Sequence, residues 1–481
     1  MIEKLKQLES ISRLLEPSKT DRDIFIKKTV QYSENFLDSI ANIPTYNFPK
    51  DDINKIFDLP ISSTPINYDE VLSFLKNNVD TPGINPASGG HLGYIPGGGI
   101  FHSALGDYLA AVTNRYAGVY FASPGAVKME NYLLNWMAEI IGYPKTFGGN
   151  LTSGGSISNL MGIVTAREAF NLKPKHIEKS VVYLTSQAHH SIEKALRIAG
   201  LKDCIKHFVP MDSNYKMNVD ELEKSIKNDK ASKLKPWLIV SSAGTTDVGA
   251  VDPLSDIGGV ASRNGLWHHI DGAYGAFFVL SETGKEILNG MEKSDSMIMD
   301  PHKSLFLPYG SGAVLIKDKE VLYKAHHYQA GYMQDALEKN EELSPADLSP
   351  ELSKHFRGLR LWLPLKLLGV DPFKAALEEK IQLARYAYEK LKDFENIELG
   401  VYPNLSLVTF RFIPPNFNPN EFNKKMIEEI HKDGRVFLSS TLLNGKFTLR
   451  IAVVSFRTHL NEIDLALEIL KEKYKQLIKQ F

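Results

Sequence analysis

The chain has 481 residues, of which 43% are hydrophobic and 23% charged, the balance of a globular protein too long for one small core. Its 56 Lys and Arg nearly equal its 57 Asp and Glu, which argues against a nucleic-acid or anionic-membrane partner. A single cysteine, Cys204, excludes an intrachain disulfide. Neither a signal peptide nor a bilayer-spanning apolar run is recognisable, so we expect a soluble cytoplasmic protein.

The first part of the chain has amphipathic helical patterns interrupted by prolines, as at Ile43-Pro44 and Leu59-Pro60. This alternation predicts an extended helical arm over residues 1–85 rather than a compact domain. A long helix is predicted next over about 125–141. There five apolar side chains recur at helical spacing on one face: Met129, Leu133, Trp136, Met137 and Ile140.

The middle of the chain alternates short apolar runs with helical patterns. Five runs predict buried strands: 181–184, 237–240, 267–270, 296–299 and 312–316. Continuous apolar strands separated by helices are typical of a doubly wound, mainly parallel sheet. We therefore expect a large α/β domain over residues 86–370. It includes a polar stretch, 326–353, typical of a functional loop or of a disordered segment.

After about residue 370 the pattern changes to longer helices and fewer strands. Helices are predicted at 373–393, 420–433 and 460–479, and strands at 405–412 and 447–454. This pattern predicts a smaller α+β domain over residues 371–481.

Residues able to carry chemistry cluster where the predicted strands end or helices begin. Five segments share this position: 153–156, 187–190, 243–246, 271–273 and 300–303. Ligands of open α/β sheets bind in a crevice outside the carboxyl ends of the strands. The sequence therefore predicts that these segments meet at one site.

The segments supply what pyridoxal 5'-phosphate (PLP) requires: an amine, an anion for the pyridine nitrogen, a flat group for the ring and a phosphate cradle. Lys303 is the candidate amine, because the apolar run that follows it favours a pocket over a solvated strand end. Asp271 ends an apolar strand, where a buried carboxylate needs a partner such as a protonated ring nitrogen. Capping of the following turn is the alternative for Asp271.

The remaining segments offer weaker indications. The small-residue turn 153–156 precedes a helix, whose free N–H groups favour phosphate, although such turns commonly only cap helices. One histidine of the pair at 189–190 is expected to stack on the ring, and a structural role is the alternative for each. Thr245 and Thr246 are candidates for binding the cofactor or supporting Asp271.

Three histidine pairs raise the alternative of a metal site: 189–190, 268–269 and 326–327. None has the helical i, i+4 spacing or the cysteine partner of a common zinc site. Neighbouring residues on a strand point to opposite faces, so His268 and His269 cannot both face one ion. We expect no metal.

In order and spacing, the segments from about Gly90 to Val454 resemble the group II PLP-dependent amino acid decarboxylases, the family of aromatic-L-amino-acid and glutamate decarboxylases. Asp300-Pro301-His302-Lys303 is similar to the family's Asn/Asp-x-His-Lys. Gln187-Ala188-His189 is similar to its stacking-histidine motif, and Asp271-Gly272-Ala273 to its Asp-x-Ala. The animal enzymes carry asparagine where this chain has Asp300, and a carboxylate beside a phosphate is repulsive unless it points elsewhere.

The resemblance implies a type I PLP-dependent transferase fold and a role for each matching residue. Lys303 would form the Schiff base and His189 would stack on the ring. The residues implied to bind the cofactor are Lys303, Asp271, Ala273, His189, Gly155, Ser156, Thr246, His302 and Asp300. A loop tyrosine would return a proton to the substrate, with Tyr332 first and Tyr328 as competitor. Tyr94 and Pro96 would line the substrate pocket.

The resemblance also implies a homodimer with the arm wrapped around the partner and the active site at the interface. The implied reaction is decarboxylation of an L-amino acid to the amine and CO₂, with aromatic substrates favoured. Alternatives are glutamate or another small amino acid, with Arg450 a candidate for binding a side-chain carboxylate. Aldehyde formation and carbon–carbon cleavage on the same scaffold also remain open, as does a PLP-binding structural or regulatory dimer.

Overall fold

A computed structural model describes residues 1–48, 53–95, 97–327 and 342–480 of the chain. Pro96, Tyr328 and Tyr332 lie outside the described residues, as does the centre of the predicted loop 326–353. The described residues form a seven-stranded sheet, a five-stranded sheet and a two-stranded ribbon.

The seven-stranded sheet has the order β4-β10-β9-β8-β7-β5-β6. Its strands are β4 (Gly148–Thr152), β5 (Ser180–Leu184), β6 (Ile205–Phe208), β7 (Lys235–Ser242), β8 (Trp267–Asp271), β9 (Ser296–Met299) and β10 (Gly312–Ile316). Strand β10 is antiparallel to both neighbours, and the run from β9 to β6 is parallel. The predicted mainly parallel sheet and its five apolar strands are confirmed, whereas β4 and β6 were not predicted.

Helices cover this sheet and follow its strands. They are α4 (Phe101–Thr113), α5 (Pro124–Ile141), α6 (Gly155–Ala169), α7 (His190–Ile198), α8 (Val219–Ala231), α9 (Leu254–Asn264), α10 (Glu282–Ile287), α11 (Pro301–Ser304), α12 (Lys319–His326) and α13 (Arg357–Leu368). The predicted helix 125–141 corresponds to α5. Pro124 starts it, the left-handed Gly142 ends it, and Leu133 and Met137 are buried on its apolar face.

The five-stranded sheet has the order β11-β12-β14-β13-β3. Its strands are β3 (His91–Leu92), β11 (Ile397–Leu399), β12 (Leu407–Phe412), β13 (Phe437–Leu443) and β14 (Lys446–Ala452). The helices of this part are α14 (Asp371–Leu391), α15 (Pro419–Asp433) and α16 (Leu460–Gln480). The predicted helices and strands are present, whereas β3, β11 and β13 were not predicted. Strand β3 pairs in parallel with β13, so a short segment near residue 91 completes the C-terminal sheet.

The N-terminal part consists of α1 (Ile2–Ser12), α2 (Lys19–Ser39), α3 (Tyr68–Leu75) and the ribbon β1 (Tyr46–Asn47) with β2 (Gly83–Ile84). No residue of α1 or α2 is buried in the single chain. Their exposed apolar side chains include Leu5, Leu8, Ile11, Ile24, Phe25 and Val30. None of the helices in the described part of the chain is both long and apolar enough to cross a membrane.

Candidate active site

A cavity of about 400 Å³ opens at the carboxyl ends of the central parallel strands, beside the first turn of α6. Nine residues predicted to bind a cofactor all line it: Lys303, Asp271, Ala273, His189, Gly155, Ser156, Thr246, His302 and Asp300. Parallel strands place their carboxyl ends at one edge of a sheet, which explains how segments over a hundred residues apart meet here. Tyr94 does not line this cavity and is 57% exposed.

Lys303 and Asp300 form an ion pair inside the cavity. Their side chains lie on the short helix that follows β9, and Lys303 Nζ is 3.3 Å from Asp300 Oδ2. The Asp300 side chain is 1% exposed and that of Lys303 25%, so the amine reaches the open space while the carboxylate is buried. Asp300 Oδ1 is buried without a hydrogen-bond partner.

The first turn of α6 forms one wall of the cavity. The backbone N–H of Gly155 donates to Asp300 Oδ2 over 3.1 Å, so a protein carboxylate occupies one donor of this helix terminus. A Cβ on Gly155 would lie 2.9 Å from that oxygen, and one on Gly154, where φ is 153°, would lie 3.3 Å from the His302 ring. The exposed Ser153 and Ser156 add hydroxyl groups.

Asp271 ends β8 as a carboxylate that is 8% exposed. Its Oδ2 accepts from Asn159 Nδ2 over 3.1 Å and its Oδ1 from the backbone N–H of Ala273 over 3.2 Å. Both donors are neutral, so the buried charge lacks a cationic partner among the hydrogen bonds of the described residues. A buried carboxylate of this kind favours binding of a cation in the cavity.

His189 lies across the cavity and caps α7. Its Nδ1 accepts from the backbone N–H of Ser191 over 3.3 Å and is 2.7 Å from the Ser191 hydroxyl. Since Nδ1 is an acceptor, the neutral ring carries its proton on Nε2. Burial lowers the pKa of His189, which favours this neutral form.

Arg360 supports the opposite rim. Its guanidinium pairs with Asp107 at 2.7 Å and donates to the Tyr309 carbonyl over 2.8 Å. This contact holds Tyr309, which lines the cavity, next to His302, whose ring centroid is 5.9 Å away.

Several residues that line the cavity were not predicted, among them Asn159, Ser191 and Tyr309. Asn159 is a polar residue one helical turn beyond the predicted phosphate cradle, but this position does not indicate which residues it contacts. The sequence candidate Arg450 does not line the cavity, but its guanidinium donates to the carbonyl of Thr246, which does, and to the Ser439 hydroxyl.

The histidine pairs have separate partners. His268 Nε2 is 2.7 Å from the Ser241 hydroxyl, whereas His269 contacts Ser296 and Asn159 on the other face of β8. Within residues 1–48, 53–95, 97–327 and 342–480, no group of three histidine, cysteine or acidic side chains is arranged to hold a metal ion.

A family model, the pyridoxal-dependent decarboxylase conserved domain, matches residues 57–413. The chain belongs to this family. It is therefore a PLP-dependent carboxy-lyase, as the sequence predicted. The cavity fits the cofactor, because Lys303 would supply the amine, Asp271 a buried carboxylate that accepts only from neutral donors, and the first turn of α6 a cradle at which Gly155 adds no side chain.

Known decarboxylases and one related synthase resemble this one over most of their length. The aromatic-L-amino-acid decarboxylase of Bacillus atrophaeus is 34% identical over 399 residues, 82% of this chain and 83% of the relative. The phenylacetaldehyde synthase of Petunia hybrida is 30% identical over 434 residues, 86% of this chain and 85% of the relative. The crystal structure of Oryza sativa TDC with PLP and tryptamine matches with a TM-score of 0.89 at 23% identity, covering 96% of this chain and 99% of that one, which confirms the expected type I fold.

Proposed function

We propose that this decarboxylase converts an aromatic L-amino acid to its amine and CO₂, with Lys303 as the cofactor-binding amine. The observation that carries the proposal is the meeting of Lys303, Asp271 and His189 in one cavity. The aromatic preference is supported by the Bacillus atrophaeus relative and by Tyr309, an aromatic side chain on the cavity wall.

Bound PLP supplies an electron sink conjugated to the substrate's alpha carbon. The protein's part is to hold and orient. Lys303 would hold the cofactor's aldehyde carbon, and Asp271 would favour a protonated ring nitrogen, because its buried charge has only neutral donors around it. The first turn of α6 would hold the phosphate through backbone N–H groups, of which that of Gly155 donates to Asp300 here, and through the hydroxyls of Ser153 and Ser156.

His189 offers the flat group of the site. Its ring is neutral with the proton on Nε2, so it stacks on an aromatic ring without adding a charge and leaves one N–H to orient the substrate carboxylate. Thr246, Ala273 and His302 complete the walls around the cofactor. Tyr94, which does not line the cavity of the single chain, and Pro96 are proposed as substrate residues from the family resemblance alone.

Tyr332 is the proposed donor of the proton that the alpha carbon receives after CO₂ leaves. The loop that carries Tyr332 is proposed to close over the cavity and exclude water. Tyr332→Phe is expected to abolish amine formation, with Tyr328→Phe as the matched control. Amine formation unchanged in Tyr332→Phe would assign the proton transfer to another group.

The active unit is proposed to be a cytoplasmic homodimer with the site at its interface. Helices α1 and α2 bury none of their residues in the single chain, although they carry a row of large apolar side chains. Apolar surface of this extent is typical of a region covered by a partner. We propose that each subunit of this dimer consists of three parts: the arm, 1–85, and the domains 86–370 and 371–481.

A panel of amino acids tests the substrate. We expect the holoenzyme to release CO₂ and amine from L-tryptophan, L-tyrosine or L-phenylalanine with kcat/KM at least about tenfold above that for L-glutamate, a difference of ~1.4 kcal/mol. A higher kcat/KM for L-glutamate contradicts the aromatic assignment. Aldehyde and ammonia in place of the amine, with O₂ consumed and H₂O₂ released, would favour the second candidate, an aldehyde-forming enzyme, which the Petunia hybrida relative at 30% identity supports.

A further inference from the structure

Asn159 connects the groups that face the cavity. It lies on α6, is 1% exposed, and makes three side-chain hydrogen bonds. Its Oδ1 is 2.9 Å from His269 Nε2, and its Nδ2 donates to Asp271 Oδ2 over 3.1 Å and to the Ser191 hydroxyl over 2.9 Å. Every polar atom of the amide therefore has a partner.

The direction of these bonds follows from a donor at the far end of the network. The Trp267 indole N–H can only donate, and it does so to the Ser296 hydroxyl over 2.7 Å. Among the hydrogen bonds of the described residues, His269 Nδ1, 2.7 Å away, is the acceptor for the proton of Ser296. A neutral His269 then carries its proton on Nε2.

His269 is held in that neutral state by its surroundings. It is fully buried, and burial lowers its pKa to about 4. The ring lies directly against α6, where a Cβ on Gly162 would be 2.6 Å from its Cε1. The glycine thus permits the approach that brings His269 Nε2 to Asn159.

Because His269 donates, the Asn159 amide must present its oxygen to His269 and its NH₂ group to Asp271. We propose that Asn159 is a positioning residue for Asp271, with the orientation of its amide set by neutral His269. The same NH₂ group reaches His189 through Ser191, whose hydroxyl is 2.7 Å from His189 Nδ1. One amide therefore connects the carboxylate proposed for the ring nitrogen with the histidine proposed for the ring face.

Two substitutions separate positioning from packing. Asn159→Leu keeps the approximate volume and removes all three hydrogen bonds, leaving Asp271 Oδ2 without its amide donor. Thr165→Val is the matched control, because Thr165 is also a buried polar residue of α6, and its hydroxyl contacts the Met161 carbonyl and His326 Nε2 but none of the residues that line the cavity. We expect the PLP dissociation constant of Asn159→Leu to rise at least about tenfold, ~1.4 kcal/mol, and that of Thr165→Val to stay within about twofold.

Asn159→Asp supplies a spectroscopic test in a folded, isosteric variant. Its second oxygen would replace Nδ2 at 3.1 Å from Asp271 Oδ2, so the two carboxylates share a proton at low pH and repel each other when it is lost. We expect the visible circular dichroism of bound PLP to titrate between about pH 5 and 9 in this variant, beyond any change in the wild type. A pH profile identical to that of the wild type, or wild-type PLP affinity in Asn159→Leu, would overturn the proposal.

The inference rests on the proposed role of Asp271, and Asp271→Ala distinguishes the two failures. Wild-type PLP affinity in Asp271→Ala would contradict the role of Asp271 itself. Weak binding in Asp271→Ala together with wild-type binding in Asn159→Leu would contradict only the role of Asn159.

Discussion

Asp300 provides the sharpest prediction about cofactor binding, because it places a carboxylate in the proposed phosphate cradle. Asp300→Asn removes the charge and keeps an oxygen that accepts from the Gly155 N–H. Asp300 Oδ2 lies 3.3 Å from Lys303 Nζ, which corresponds to at most about 5 kcal/mol of attraction at an effective dielectric constant of about 20. PLP has to compete with this ion pair for Lys303 and with the carboxylate for the Gly155 N–H.

We therefore expect Asp300→Asn to bind PLP at least about tenfold more tightly, which is ~1.4 kcal/mol of the ion-pair energy. The assay is an absorbance titration of apoprotein with PLP, with competition by inorganic phosphate measured in parallel. Asp318→Asn is the matched control, since Asp318 also precedes a helix but caps α12 by accepting from the Glu320 N–H. Unchanged or weaker PLP binding in Asp300→Asn would refute the argument that this carboxylate opposes the phosphate.

Three further predictions concern stability and the cradle. Lys354 and Glu130 form a buried ion pair at 2.7 Å. Lys354→Met should lower the free energy of unfolding in urea by about 3–5 kcal/mol, because it leaves a buried charge without its partner, and adding Glu130→Gln should recover part of this loss. An unchanged free energy of unfolding would contradict this. Gly155→Ala should weaken PLP binding, because its methyl group would lie 2.9 Å from a carboxylate oxygen. Gly125→Ala, whose methyl group would have no neighbour within 4 Å, should leave PLP binding unchanged. Equal effects of the two substitutions would contradict the assignment of the first turn of α6 as the phosphate site. Burial lowers the pKa of three histidines from 6.5 to about 4: His91, His269 and His326. Between pH values equal to these two pKa values, the unfolded chain binds more protons than the folded chain. Each histidine should therefore lower the free energy of unfolding by roughly 2 kcal/mol as the pH falls from about 7 to about 5. A free energy of unfolding in urea that does not change over this pH range would contradict this.

Much of the fold could be predicted because its strands are continuous apolar runs. Strands β7, β8 and β10 are buried on both faces, and burial of that kind needs apolar residues at nearly every position. Strand β4 reads Gly-Gly-Asn-Leu-Thr and has no apolar pattern, because close neighbours there leave no room for larger side chains: a Cβ on Gly149 would lie 2.8 Å from a carbonyl oxygen of β10. Strand β6 alternates partly buried and exposed residues at the sheet edge, which is a weak signal over four residues.

The residues of the candidate site could be predicted where a short stretch of sequence carries the functional side chains itself. Asp300 and Lys303 belong to one turn, and Asp271 closes an apolar strand. Asn159 was missed because its role follows from its contacts with distant residues. His269 lies in β8, over a hundred residues away, and Ser191 lies in α7, the helix after β5. Hydrogen-bond networks of this kind are set by tertiary packing and leave no local pattern in the sequence.

The measurement that tests the central claim most directly is the yield of CO₂ and amine from one aromatic L-amino acid by wild-type and Lys303→Ala holoprotein. For the wild type we predict equal amounts of CO₂ and amine, together with the visible absorbance of bound PLP. Lys303→Ala should lose both the turnover and that absorbance. CO₂ without amine, or a Lys303→Ala variant that still absorbs and turns over like the wild type, would contradict the account.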